Sequence, residues 1–521
     1  MSRPPRMVTA ILGSIILSLG SAFAAEKPNI VLINADDLGY GDLGCYGATK
    51  LKTPNIDRLA TEGRRFTDAH SPSAVCSPSR YGLLTGSYPL RKNLWGPVPL
   101  REPLTVEVGS MTLASLLKEA GYDTACFGKW HIGFGEKEPD WNGELKPGPL
   151  ELGFDTYFGI PSVNSGPPFV YVENHRVFGA DPEDPFQYGK PSVAKRMPEK
   201  GGYGAIGGGE AAHKLYVDKR IGTTLKERAV DWLKGRSDER PFFLYLATTN
   251  IHHPFTPADR FVGTSECGRY GDFVHELDWI VGEVLAAVEA RGATDNTLVV
   301  FTSDNGGMLN VTAQKAWKAG HRINGDLLGF KFGAWEGGHR VPMVVRWPGK
   351  VPAGTTSDTL ISQIDLLATF AEITGRKLKE GEGPDSIGQL ENLTGASPKP
   401  LRETLVISPN SPKHLGIRHR QWVYIPQRGS GGFQGRKPGE HLLAGPPGLA
   451  FAGRPNSDIV DGKYRADAPM AQLYNLEEDP AQSTNVIADH PEVVAELETI
   501  LKRYRAMVPK GPRIGWINLK Q

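Results

Sequence analysis

Four unbroken β-type runs constrain this chain more than any other feature. Asn29-Ile30-Val31-Leu32-Ile33-Asn34 is the first, and Thr124 to Phe127, Phe242 to Ala247 and Leu298 to Thr302 repeat the pattern. A strand with one wet face alternates apolar and polar residues. An unbroken run reads as a strand covered on both faces, as in a parallel sheet. Helical patterns lie between the runs. Thr53-Pro54 caps a helix that stops near Gly63, and Met111 to Ala120 stops at Gly121. Phe273, Leu277, Ile280, Val281, Val284, Leu285 and Val288 share one helical face, ended by Gly292. Strands alternating with helices predict an α/β fold, a large mostly parallel central sheet sandwiched by helices.

After Gly375 the texture changes. Residues 376–400 are polar and contain Gly and Pro, as a linker does. Beyond it, Thr404 to Ile407 and Gln421 to Ile425 read as strands and Pro491 to Tyr504 as a helix. The expected division is a main domain over 26–395 and a smaller α+β domain over 400–521. The Gly-rich stretches 200–209 and 429–448 read as surface loops. Residues 1–24 read as a signal peptide: Arg3 and Arg6, the apolar run Val8 to Leu19, then Ala22-Phe23-Ala24 as a cleavage site. The alternative is an uncleaved anchor, for which the run is short. Both readings export the body, to the periplasm or outside the cell. No later segment is long and apolar enough for stable membrane insertion. A net charge of +1 provides no field for nucleic acid or anionic lipid. The four cysteines, Cys45, Cys76, Cys126 and Cys267, do not form a disulfide framework or a zinc spacing.

Open α/β sheets bind ligands beyond the carboxyl ends of their strands, so the residues after each run matter most. Asp36-Asp37 follow the first. Lys129-Trp130-His131 follow the second, His252-His253 the third and Asp304-Asn305 the fourth. Asp36, Asp37, Asp304 and Asn305 offer hard oxygen donors only, which suit calcium or magnesium and not zinc. In Cys76-Ser77-Pro78-Ser79-Arg80, Ser77 reads as an N-cap and Pro78 as the first helical turn. Cys76 then sits at a helix N-terminus, which favours anions, with Arg80 one turn on. The residues alone leave open a structural cysteine, a thiolate nucleophile or another reactive form.

Cys76-Ser77-Pro78-Ser79-Arg80 with Leu84-Thr85-Gly86 resembles the signature of the type I sulfatases. The resemblance extends over most of 28–350 through Asp36-Asp37, Gly128-Lys129-Trp130-His131, Asp304-Asn305-Gly306, and Lys331 ahead of Trp335-Glu336-Gly337-Gly338. It returns at Leu473 to Pro480. It implies an alkaline-phosphatase-superfamily fold and hydrolysis of sulfate monoesters. It also implies oxidation of Cys76 to formylglycine by a formylglycine-generating enzyme during export. The formylglycine hydrate attacks sulfur, and a covalent sulfo-enzyme then releases sulfate. By the same resemblance, Ca2+ is held by Asp36, Asp37, Asp304, Asn305 and the modified Cys76. Arg80 holds the diol, Lys129 and Lys331 bind sulfate oxygens, and His131 is the base of the second step. His252, two residues before a proline, protonates the leaving alcohol and is preferred to His253. Where relatives carry a serine contact, this chain has Ile160-Pro161-Ser162-Val163-Asn164-Ser165, so Ser162 and Asn164 are both substrate-contact candidates.

Loops outside that core set the pocket, here 160–215 and 308–328. The second contains His321 and Arg322 beside Trp317, an arrangement that suits a sugar. The expected substrate is a sulfated small molecule or, more specifically, a sulfated carbohydrate. A phosphonate or phosphodiester hydrolase is the nearest rival. A non-catalytic binder of sulfated glycan is the rival from another class, and it has no use for an acid–base pair.

Overall fold

The computed structural model describes residues 1, 27–190, 206–237, 239–396 and 399–515. The leader reading, which rests on Arg3 to Ala24, lies outside them. Ten strands form the large sheet: Asn29–Ala35 (β1), Arg64–Phe66 (β2), Asp123–Lys129 (β3), Thr156–Ile160 (β4), Val172–Glu173 (β5), Arg176–Val177 (β6), Phe242–Ala247 (β7), Thr297–Ser303 (β8), Met343–Arg346 (β9) and Thr355–Ser357 (β10). Their order is β10-β2-β9-β8-β1-β7-β3-β4-β5-β6. The four unbroken runs are neighbours at the centre, all parallel, with β4 added parallel at one side. The expected parallel arrangement therefore holds for five strands. Outside them β9, β5 and β6 run antiparallel to their neighbours, so the sheet as a whole is mixed.

Both faces are covered, as the runs predict. Val31, Ile33, Leu244 and Phe301 point into one core and Ile30, Leu32, Phe243 and Val300 into the other. The first core is closed by helices Pro54–Glu62 (α1), Ile221–Gly235, Arg269–Ala290 and Val311–Lys318. The second is closed by Cys76–Thr85 (α2), Leu113–Glu119 and Leu366–Thr374. Burying each such side chain contributes about 1.5–3 kcal/mol, which is why an unbroken apolar strand stays between two helical layers.

A second sheet of four antiparallel strands follows, Thr404–Ile407, Gly416–His419, Trp422–Ile425 and Gln472–Asn475, with helix Pro491–Arg505 on one face. Its core continues into Tyr88, Leu90, Trp95 and Ile364 of the large domain. Asp68 and Arg418 tie the two parts further with two bonds of 2.7 Å. The 376–400 segment is not a free linker. Gln389 and Asn392 are buried, and the Asn392 carbonyl accepts from Arg64 at 3.0 Å. The 429–448 stretch is a surface loop only over its middle, 434–440. Ser430, Phe433, Leu443 and Ala444 are buried, and Phe433 meets Phe332 edge-on at 4.8 Å. Of 200–209, only 206–209 lies within the described residues.

Candidate active site

Because β8, β1, β7 and β3 are parallel, their carboxyl ends open at one edge. Backbone bonds fix the exits: Asp304 N donates to Ala35 O at 3.0 Å, and Asp36 N donates to Asn250 O at 2.8 Å. Gly128 permits a close backbone approach. A Cβ there would stand 1.8 Å from the Ala247 carbonyl oxygen, and its φ is 117°. Asp37 and His131 both hold a φ of 61°, a region that non-glycine residues occupy at a cost of order 1–3 kcal/mol. Two residues singled out by the sequence thus carry backbone strain.

Cys76 is the first residue of α2. The expected cap is displaced: Val75 is the N-cap, Ser77 lies inside the helix, and the Ser77 hydroxyl accepts from Val98 N at 2.9 Å. Cys76 is buried beside Val75, Met308, Phe332, Phe433 and Ala444. Burial pushes its thiol above the usual range, and Lys129 and Lys331 offset this only in part. A thiolate is therefore disfavoured here. None of the four cysteines is in a disulfide.

The charges form a closed set. Arg80 Nε and Nη2 donate to Asp304 Oδ2 at 3.0 and 2.7 Å, and Nη1 donates to the Lys129 carbonyl at 2.9 Å. Lys129 Nζ donates to both Asp36 oxygens, at 2.9 and 2.7 Å. Lys331 Nζ donates to Asp37 Oδ1. Three carboxylates thus face three cations, all buried. The Asp36, Asp37 and Asp304 side chains bring oxygens within 4.8 Å of one another. Asp37 Oδ2 and Asn305 Oδ1 are buried with no hydrogen-bond partner among the described residues. Unpartnered buried oxygens are costly, and an all-oxygen cluster fits a hard cation.

The histidines stand around this set. His131 is buried, and neither ring nitrogen makes a well-formed hydrogen bond. Burial, then the charges of Lys129, Arg80 and Lys331, hold it well below the ordinary range. His252 Nδ1 lies 3.0 Å from Asn164 Oδ1 and 2.7 Å from the His253 carbonyl, and Nε2 lies 3.8 Å from Asp37 Oδ2. Asn164 Nδ2 also donates to the His252 carbonyl at 3.1 Å. Asn164 thereby braces His252, while Ser162 lines a small cavity with His131.

His321 is buried, 2.6 Å from Asp42 and packed near Tyr270. Arg322 turns back over Trp317 at 4.7 Å and donates to the Trp317 and His321 carbonyls. Within 308–328, Val311–Lys318 is helix and the rest is loop. His441, which the sequence reading missed, packs on His253 beside the site.

Residues 28–376 match the sulfatase family model. The chain belongs to the sulfatase family. An N-acetylgalactosamine-6-O-sulfatase of Bacteroides thetaiotaomicron is 37% identical over 505 residues, spanning 92% of this chain and 93% of that protein. The human N-acetylgalactosamine-6-sulfatase is 34% identical over 391 residues, 72% of this chain and 67% of that one. A solved Bacteroides thetaiotaomicron structure, described for metabolism of multiple glycosaminoglycans, has a TM-score of 0.81 at 36% identity. It covers 92% of this sulfatase and the whole of that chain. The protein is a sulfuric ester hydrolase, and its two-sheet architecture is that of its relatives.

Proposed function

We propose that this sulfatase removes sulfate from a sulfated amino sugar, specifically the 6-O-sulfate of N-acetylgalactosamine, using formylglycine formed from Cys76. The observation that carries the reading is the setting of Cys76. It stands at a helix N-terminus within electrostatic reach of Lys129, Lys331, Asp304 and Asp36, and His252, braced by Asn164, stands beside Asp37. The names of the relatives support the amino-sugar substrate.

Asp36, Asp37, Asp304 and Asn305 would hold Ca2+, which would supply Lewis acidity. Oxidised Cys76 supplies a hydrated aldehyde as nucleophile in place of a disfavoured thiolate. Lys129 and Lys331 present ammonium groups to the non-bridging sulfate oxygens, where negative charge must be met in a water-poor site. Arg80, pinned through both Asp304 and the Lys129 carbonyl, orients residue 76 from one turn away. His131, held neutral by burial and its cationic neighbours, accepts a proton in the release step. His252 Nε2 gives a proton to the departing sugar oxygen. Export behind the N-terminal leader puts the enzyme where a maturation enzyme meets it during translocation and where sulfated glycans occur. Among the described residues, no helix is long and apolar enough to cross a membrane.

The test joins mass to activity. A peptide containing residue 76 should be about 18 Da lighter than its cysteine form in enzyme from the native host. That enzyme should release sulfate from N-acetylgalactosamine 6-sulfate and leave the corresponding phosphate ester intact. Unmodified thiol in fully active enzyme refutes the nucleophile. Activity on aryl esters with none on the sugar refutes the substrate.

A further inference from the structure

Three imidazoles stand in a row leading away from the charged set. His252 and His253 stack with centroids 4.3 Å apart, and His441 meets His253 edge-on at 4.5 Å. The near end belongs to the site: a nitrogen of His253 lies within 4.8 Å of an Asp37 oxygen. The far end comes from the second part of the chain. His253 Nδ1 and His441 Nε2 are both buried and have no hydrogen-bond partner among the described residues. Leaving such atoms unpaired costs roughly 1–3 kcal/mol each. Two of them on adjacent rings leave a pair of buried polar atoms to be satisfied.

His441 is held there by design of the fold. The Gln314 side chain, buried on helix Val311–Lys318, accepts from Gly439 N at 2.7 Å and donates to the Glu440 carbonyl at 2.8 Å. Leu443 N donates to the Leu309 carbonyl at 3.1 Å. Leu442 and Ala444 then pack into the apolar group around Cys76. The segment is fastened on both sides of His441, so its ring is presented and not trailing. Burial, then the charge of Arg436, lowers the pKa of His441. The neutral ring has one N–H and one lone pair, which match a hydroxyl or an amide, not a second sulfate.

We propose that His253 and His441 form a subsite for the uncharged polar groups of the sugar that carries the sulfate, with Gln314 as the residue that positions His441. The proposal rests on the carbohydrate reading above and adds where the sugar is read. An aryl sulfate has no hydroxyls to place there, so the subsite discriminates between two substrates sharing one reaction.

The experiment compares wild type, His441→Phe and Gln314→Met on sulfated hexosamines, N-acetylgalactosamine 6-sulfate among them, and on 4-nitrophenyl sulfate. Phenylalanine keeps the edge-on packing and removes both nitrogens. For His441→Phe, kcat/KM on the sugar should fall roughly 10- to 100-fold further than on the aryl ester, mainly through KM. Gln314→Met should shift the same ratio in the same direction by less. Equal losses on both substrates, or no loss on the sugar, overturn the subsite. Wild type that cleaves the aryl ester and no sulfated sugar overturns the carbohydrate reading itself, and the subsite with it. The aryl rate of each variant shows that the site has assembled.

Discussion

Replacing His252 by alanine separates two demands that sulfate ester hydrolysis makes on this site. A sugar alkoxide is a poor leaving group and needs a proton as the S–O bond breaks, whereas an activated phenolate does not. The Asn164 Oδ1 and His253 carbonyl acceptors both face Nδ1, so that nitrogen carries the hydrogen and Nε2 is left toward the site. To act as acid, Nε2 must take a second proton. Burial, then His253, Lys129 and Lys331, depress that protonation well below the ordinary histidine range. The free enzyme therefore holds less of the acid form as pH rises. For the sugar, kcat/KM should fall with rising pH through the depressed pKa and continue to fall about tenfold per unit above it. The aryl ester should lack this limb. Removing a positioned acid costs about 10²- to 10⁴-fold, or about 2.7–5.4 kcal/mol of barrier. His252→Ala should show that loss on the sugar, under about tenfold on 4-nitrophenyl sulfate, and no acid limb. Orphaning Asn164 Oδ1 adds a stability cost of about 1–3 kcal/mol, which a melting curve records separately. Equal losses on both esters, with the acid limb intact, would refute the assignment.

Three other outcomes are expected. Cys76→Ala should abolish turnover of every sulfate ester while leaving the fold intact, since the side chain is small and α2 keeps its cap; sulfate release above background refutes the nucleophile. Dialysis against a chelator should suppress turnover, and Ca2+ should restore it better than Zn2+, because the Asp36, Asp37, Asp304 and Asn305 cluster is all oxygen; rescue by zinc alone refutes the hard-cation site. Glu276, buried beside Asn250, has its carboxyl pushed by burial to about 7 from an ordinary 4.5. Folding therefore binds a proton between those values, and stability from this group declines as pH rises through the window, by about 3 kcal/mol in all. Glu276→Gln should flatten that slope and melt higher than wild type at pH 8; a lower melting temperature there sinks the reading.

The central strands were legible because burial on both faces leaves an unbroken apolar signature, and parallel neighbours necessarily share a carboxyl edge. That one inference collected Asp36, Lys129, His252 and Asp304 from four distant stretches. The outer strands were not legible as antiparallel, since two- and three-residue strands such as Val172–Glu173 carry no periodicity. The substrate side was harder for a different reason. Gly431 and Gly432 resemble the glycines of a solvated turn, and the sequence reading placed 429–448 outside. Here they permit contact. A Cβ on Gly431 would meet His414 at 2.6 Å, and one on Gly432 would lie 3.2 Å from Gly333 N. Glycine for positive φ and glycine for close approach look identical in a sequence. His321 was hard to read by the opposite route. A histidine in a polar, aromatic-flanked stretch suits a sugar, but the partner that claims it, Asp42, lies 279 residues away. Residues whose roles depend on the strand that carries them can be read locally. Residues whose roles depend on a distant partner, such as Asn164 under His252 or Gln314 under His441, become visible only when the chain has closed. Asn164 and Gln314 are of that second kind, so the chemistry of this sulfatase was easier to read than the supports around it.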